Sequence, residues 1–157
     1  MNTNDERRWQ ATADKIELVE LMHRYALAID TAQFDDLRSV FTADGAVDFG
    51  SVDQYVEGAA GVSGIDAIVG WFRTVLTPFP HVLHFMGNHV IDLDGDRARV
   101  RTTMHVLHMP MGGIYDAEAV RTPVGWRLRR LRLDERRFEE AAGRLQAHMT
   151  RVDEGGG

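Results

Sequence analysis

Thr77-Pro78-Phe79-Pro80-His81-Val82-Leu83-His84-Phe85-Met86-Gly87-Asn88-His89 is the stretch at which this chain changes its periodicity. Upstream of it, apolar residues recur every three or four positions; downstream, they alternate. The two prolines close a helix, because proline disfavours the helical conformation at the residue before it. From His81 onward, four strand candidates follow at 82–93, 97–109, 114–121 and 125–133. Asp94-Gly95-Asp96, Met111-Gly112-Gly113 and Pro123-Val124-Gly125 carry the turn signals that separate them.

Working back toward the N-terminus, residues 14–30 read as a helix. Leu18, Leu21, Met22, Tyr25, Ala26 and Ile29 form a broad apolar stripe along it. A second short helix is expected at 33–41, and Thr42-Ala43-Asp44-Gly45 reads as a stop and turn. Residues 46–50 and 52–58 are short strand candidates. A third helix opens at Ser63 or Gly64, with Ile65, Ile68, Val69, Phe72 and Leu76 on one side. A last amphipathic helix is expected over 136–149. Helices first and strands after predict an α+β class with an antiparallel sheet. Such a sheet, curved and packed by helices on one face, encloses a pocket of the kind that holds small ligands.

The chain has 157 residues and a formal net charge of −6. That length suits one domain, expected over 1–150, with 151–157 as a disordered glycine-ended tail. The acidic balance argues against nucleic acid as a partner, since phosphate binding needs a positive field. With no cysteine present, disulfides, thiolate metal sites and cysteine nucleophiles are excluded, and a reducing cytoplasm fits. No run reaches the ~18 apolar residues of a membrane span, and Met1 to Gln10 lacks the apolar core of a signal peptide. A cytoplasmic protein with no membrane partner is the expectation.

Asp30 ends the first helix within roughly 40° of Ala26, so it borders the apolar stripe. A carboxylate there is partly desolvated unless donors compensate; otherwise it is a capping or turn residue. Tyr25 lies near the centre of the stripe, where a buried hydroxyl needs a partner. His84 alternates with Val82 and Met86, which places all three on one face. An imidazole in an apolar cavity acts as a general base when a carboxylate orients it, and Asp30 is the candidate carboxylate. On the next strand, Thr103, His105 and Leu107 share a face. His81, His84, His89, His105 and His108 lack the helical spacing of a zinc site, so no metal and no cofactor are expected. Arg132 shares alternation with Trp126 and Leu128 provided no bulge intervenes; an inward arginine would bind an acidic substrate group or stabilise an oxyanion, while most arginines of the 127–132 run read as a solvated face. The 58–64 segment is glycine-rich but lacks a phosphate-loop pattern, so it reads as a loop.

Arg24-Tyr25-Ala26-Leu27-Ala28-Ile29-Asp30, Leu37 to Gly45, Gly64 to Trp71, His84-Phe85-Met86-Gly87-Asn88 and Gly112 to Arg127 together resemble the SnoaL-like group of the nuclear-transport-factor-2-like superfamily. The resemblance covers nearly the whole chain. It implies a cone-shaped α+β barrel, a bent antiparallel sheet packed by N-terminal helices around an apolar pocket, that assembles as a homodimer or homotrimer. Within that group the chain looks like the scytalone dehydratase and bile-acid 7α-dehydratase branch and the hexachlorocyclohexane dehydrochlorinases. Those enzymes use a His–Asp pair to remove water or HCl from a ring. The resemblance places the aspartate on Asp30, the histidine on His84, a tyrosine on Tyr25, a second histidine on His105 and an arginine on Arg132. Ile29 and Phe49 stand where scytalone dehydratases carry substrate-polarising tyrosines, and Gly113 and Tyr115 stand near a serine–asparagine pair. Scytalone itself is therefore not the expected substrate.

The expected activity is a cofactor-independent lyase of dehydratase type acting on a hydrophobic cyclic molecule such as a steroid, polyketide or terpenoid-like ring. His84 is the expected base and Asp30 its orienting carboxylate, with Tyr25, His105 and Arg132 as donors. Trp71, Phe72, Leu83, Met86 and Met104 are the expected walls, with Phe49 and Tyr115 also counted as substrate-binding. Two alternatives stay open: a polyketide cyclase or isomerase using the same base, and a non-catalytic domain that binds small molecules.

Overall fold

The computed structural model describes residues 2–53, 56–78, 82–107 and 111–137. The expected 138–149 part of the last helix, the 151–157 tail, His81 and His108 lie outside the described residues.

Helix α1 spans Thr3–Asp30, eleven residues longer at its start than the apolar stripe predicts. The early part has no stripe because it buries little; its cap forms it instead. Asn2 holds extended backbone, and its side-chain oxygen accepts from the N–H groups of Asn4 and Asp5 at 2.8 and 3.0 Å. Asp5 and Glu6 in the first turn favour the positive end of the helix dipole. From Asp14 onward the stripe is buried as expected, with Leu18, Leu21 and Met22 fully covered. Each such side chain contributes about 1.5–3 kcal/mol. A 3-10 turn at Phe34–Ser39 follows, burying Phe34 and Leu37.

Strand β1 spans Phe41–Asp48, so the stretch 42–45 lies inside a strand rather than in a turn. Its pairing register shifts between Phe41 and Ala46, and that irregular segment carries the turn-forming residues. Residues 50–52 form a 3-10 turn in place of a strand, and the loop around Gly58 leads to the short β2, Val62–Ser63. Helix α2 spans Ile65–Leu76, with Gly64 at its cap at φ 89, a conformation that favours glycine. It buries Ile68, Val69 and Phe72.

Strands β3 (His84–Asp94), β4 (Arg97–Val106), β5 (Met111–Thr122) and β6 (Gly125–Arg137) complete a six-stranded sheet of order β2-β1-β6-β5-β4-β3. All neighbours are antiparallel except β1 and β6, which run parallel, so the curved sheet is mixed. The α+β class and cone architecture expected from the sequence are those of the structure. Arg136 and Arg137, expected to open a helix, instead end β6.

One of the turn signals hides other geometry. Gly112 and Gly113 are the second and third residues of β5, paired with Arg136 and Glu135. A Cβ on Gly113 would lie 2.5 Å from the Asp134 carbonyl oxygen and 2.9 Å from Leu133 Cδ1, so this glycine permits close strand approach. In β3, an extra residue around Asn88, at φ 52, shifts the register between Gly87 and Val90. It returns His89 to the inner face, where its Nδ1 lies 2.8 Å from Thr102 Oγ1. Among the described residues, no helix is long and apolar enough to cross a membrane.

Candidate active site

The inner face of the sheet and the two helices enclose a cavity of about 610 Å³. Tyr25 and Ile29 reach it from α1, Trp71 and Phe72 from α2, and His84 from the first position of β3. Met104 and Val106 from β4, Met111 and Tyr115 from β5, and Leu133 and Glu135 from β6 close the far side. The aromatic wall is continuous. Trp71 and Phe72 have ring centroids 4.9 Å apart, Phe49 and Trp71 5.9 Å, and Phe49 and Tyr115 5.9 Å.

Asp30 is the last residue of α1, where the helix dipole disfavours a carboxylate and the last turn holds no basic residue. Its side chain is only 9% exposed, so the compensation must come from elsewhere in the fold. Among the described residues it comes entirely from His84. The Nδ1 of His84 lies 2.6 Å from Asp30 Oδ1, and the His84 backbone N–H donates to Asp30 Oδ2 at 2.9 Å. One carboxylate thus grips both the main chain and the ring of one residue, which fixes the ring's position and rotation. A carboxylate only accepts hydrogen bonds, so Nδ1 carries a proton, and in the neutral ring Nε2 holds the lone pair. The imidazole is 6% exposed and lines the cavity, so that lone pair belongs to a nearly dry environment. A residue that breaks a local helix rule and is satisfied by a cavity-lining histidine has the marks of a functional site.

Tyr25 and Tyr115 are 1% and 2% exposed, and their hydroxyl oxygens are 3.3 Å apart. Burial, above all, pushes both phenols up, and the Asp30 charge adds to it. Both are neutral donors at any ordinary pH. The Tyr25 ring stands 6.5 Å from that of His84, edge to face.

The sequence-expected residues fall into two groups. Tyr25, Phe49, Trp71, Phe72, His84, Met104 and Tyr115 line the cavity, with Asp30 directly behind His84. Met86 lies on the inner face, packed against the core but outside the cavity lining. Leu83, next to His84, is 49% exposed and forms no wall. Two expected donors point the other way. Along β4, residues 98, 100, 102, 104 and 106 are the buried ones, so His105 faces outward and donates from Nδ1 to the Met111 carbonyl at 2.9 Å. Arg132 is exposed opposite Asp116 on the outer face. The cause is a bulge in β6: Glu118 pairs with Arg130 but Ala119 with Leu128, so Arg129 is an extra residue. Trp126 and Leu128 point inward before it, Leu131 and Leu133 after it, and Arg132 is turned out.

Glu57 and Glu135 line the cavity without having been expected there. Once the bulge is counted, Leu131, Leu133 and Glu135 alternate onto the inner face, and that is the signal for Glu135. Ser51 ties this part of β6 to the 3-10 turn, donating to the Leu133 carbonyl at 3.0 Å and accepting from the Glu135 N–H at 3.2 Å. Trp71 Nε1 donates to the Glu57 carbonyl at 3.2 Å. Among the described residues, neither lysine nor arginine lines the cavity, and no three histidine, aspartate or glutamate side chains converge as metal ligands.

The family model for the SnoaL-like domain matches residues 10–132. An uncharacterized protein of Mycobacterium tuberculosis H37Rv, Rv2910c, is 33% identical over 141 residues, covering 82% of this chain and 88% of that protein. The Kfla4162 protein of Kribbella flavida has a similar crystal structure, with a TM-score of 0.66 and 31% identity over 80% of this chain and 92% of that one. The hexachlorocyclohexane dehydrochlorinase LinA-type3 of Novosphingobium barchaimii shares the fold, with a TM-score of 0.64 at 16% identity, over 83% of this chain and 90% of that one. A matched model spanning most of the chain, together with relatives above 30% identity, places this protein in the SnoaL-like domain family.

Proposed function

We propose that this protein is a cofactor-independent lyase of dehydratase type, acting on a hydrophobic cyclic substrate, with His84 as its base and Asp30 as the group that orients it. The observation that carries the reading is the double grip of Asp30 on His84, at 2.6 and 2.9 Å, inside a cavity walled by aromatic rings. A fixed Nε2 lone pair in a dry site takes a proton from a carbon acid. The imidazolium so formed is stabilised by the carboxylate behind it. Of the three expected donors, Tyr25 is the one in the cavity. Loss of a leaving group from the neighbouring carbon completes an elimination, and His84 returns the proton to the departing hydroxide as water. The fold shared with a dehydrochlorinase supports an elimination but does not carry it.

The cavity of about 610 Å³ suits a ligand of two to four fused rings. Screening hydroxylated cyclic ketones for loss of water, by mass spectrometry, tests the reading. With a substrate that turns over, His84→Ala loses at least about 10² in kcat. Activity within about 3-fold of the parent would remove His84 from the chemistry.

A further inference from the structure

Histidines join helix α1 to strand β3 at two places. One is the Asp30–His84 pair. The other lies seven residues earlier on α1 and five residues later on β3, where His23 faces His89. The two ring centroids are 5.3 Å apart at an interplanar angle of 65°. His23 is exposed and His89 half-buried, so the pair is reached from water. Among the described residues, neither imidazole has a carboxylate within ion-pair distance, and no hydrogen bond holds the His23 ring.

His89 reaches this position only through an irregularity. Without the extra residue at Asn88, whose φ is 52, alternation from His84 and Met86 would place residue 89 on the outer face. Bulges re-aim side chains, and this one aims an imidazole at another imidazole. The His89 ring is also fixed from behind. Its Nδ1 lies 2.8 Å from the Oγ1 of Thr102, a fully buried residue. With that hydroxyl oxygen accepting the Nδ1 proton, Nε2 is the nitrogen left with a lone pair. Metal-ligating histidines are oriented in this way, with one ring nitrogen held by the protein and the other turned to the ion. The spacing fits as well. At Zn–N distances of about 2.0–2.1 Å and a tetrahedral angle, two imidazoles on one zinc ion hold their centroids about 5 Å apart.

We infer that His23 and His89 form a two-histidine site for a divalent ion that favours imidazole nitrogen, Zn2+ in the first place, and that the bound ion clamps α1 to β3. Among the described residues no third histidine, aspartate or glutamate joins the pair, so water takes the ion's other positions. Magnesium and calcium, which take oxygen ligands, do not bind there. Half the ligand set of a four-coordinate structural zinc site puts Kd at about 1–200 µM at pH 7. Because α1 ends in Asp30 and β3 begins with His84, the clamp holds the same two elements that carry the pair in the cavity. The site goes beyond the lyase reading and does not depend on it.

Calorimetric titration of the full chain with ZnCl2, in a buffer that does not chelate, tests the site. One ion per chain is expected in that range. His23→Gln and His89→Gln each weaken binding at least about tenfold, whereas His105→Gln, on the outer face, leaves it within about twofold. Zn2+ at about one hundred times its Kd raises the Tm of the parent by about 5–11 °C, and that of either variant by about half as much or less. Long-range 1H–15N correlation spectra of the parent need no variant protein in the tube: Zn2+ moves the ring 15N signals of His23 and His89 together. Zinc that binds both histidine variants within about twofold of the parent sits elsewhere on the chain, and that result overturns the inference. A titration in which only one of the two rings responds overturns it too, as does the absence of saturable binding below about 1 mM.

Discussion

Asp30→Asn changes one atom and should disable the site through geometry. The carboxylate accepts two hydrogen bonds from one residue, from ring Nδ1–H at 2.6 Å and from the backbone N–H at 2.9 Å. An amide has one oxygen and one NH2 group, so it can accept only one of the two with the same placement. The backbone N–H cannot give up its proton, and it therefore claims the amide oxygen. The NH2 group then faces Nδ1, which must become the lone-pair nitrogen, and the ring proton moves to Nε2. The base points the wrong end of its ring at the substrate. Both bonds survive but lose their charge assistance, about 1 kcal/mol each, so the variant loses about 2 kcal/mol of stability. At about 2–4 °C per kcal/mol for a chain of this size, Tm falls by about 4–8 °C. The loss in kcat is far larger, about 10²–10⁴, because the general base is gone. Long-range 1H–15N correlation spectra read the tautomer directly: Nδ1–H in the parent, Nε2–H in Asp30→Asn. An unchanged Nδ1–H tautomer in the variant would refute the reasoning, even if activity fell.

Midway along α1, Asp14 accepts from Arg121 at 2.7 Å, from Trp126 Nε1 at 3.2 Å and from Gln10 at 3.1 Å, and Arg121 above all holds its carboxyl below the usual range. A carboxyl depressed in the folded state contributes stability above its unfolded pKa of about 3.9 and loses it as pH falls through the folded value. Asp14→Asn should therefore cost about 2 kcal/mol at pH 7 and progressively less below about pH 5, as followed by urea melts across pH. Gly113→Ala should lose about 1–3 kcal/mol or more in the same melts, because the new Cβ would sit 2.5 Å from the β6 main chain. Arg132→Ala, on the exposed outer face, should leave kcat/KM within about 2-fold and stability within about 1 kcal/mol, unlike a residue in the cavity. A tenfold loss of activity would return Arg132 to the chemistry.

The sequence made the central pair legible for two independent reasons. Helical spacing put Asp30 beside the apolar stripe, and strand alternation put His84 on the face of Val82 and Met86; both survive in the structure. Neither count crosses an irregularity. The same alternation counted from Trp126 to Arg132 crosses the extra residue at Arg129, and one inserted residue reverses every side chain beyond it. Nothing in Arg127-Leu128-Arg129-Arg130-Leu131 marks where the bulge falls, since arginine suits an exposed position on either register. His105 carries a different lesson. Thr103, His105 and Leu107 do share a face, but which face is the inner one is set by Val100, Thr102, Met104 and Val106. Thr102 is fully buried and polar, so it interrupts that apolar pattern. The glycines at 112 and 113 resemble a turn in composition, while their use is the close approach of β6. The hydroxyl pair joins residues 25 and 115, and no local pattern reports a contact of that separation.

The account stands on His84 acting as a base toward carbon, and deuterium exchange measures that without knowing the natural leaving group. A saturated cyclic ketone that binds the cavity, 1-tetralone in the first instance, is incubated in D2O with the parent protein and with His84→Gln. Label at the carbon next to the carbonyl is then followed by NMR. The account predicts exchange in the parent at least about 10² faster than in His84→Gln. Bound ketone whose exchange is the same with both proteins would contradict it, and would leave this cavity as a binding site.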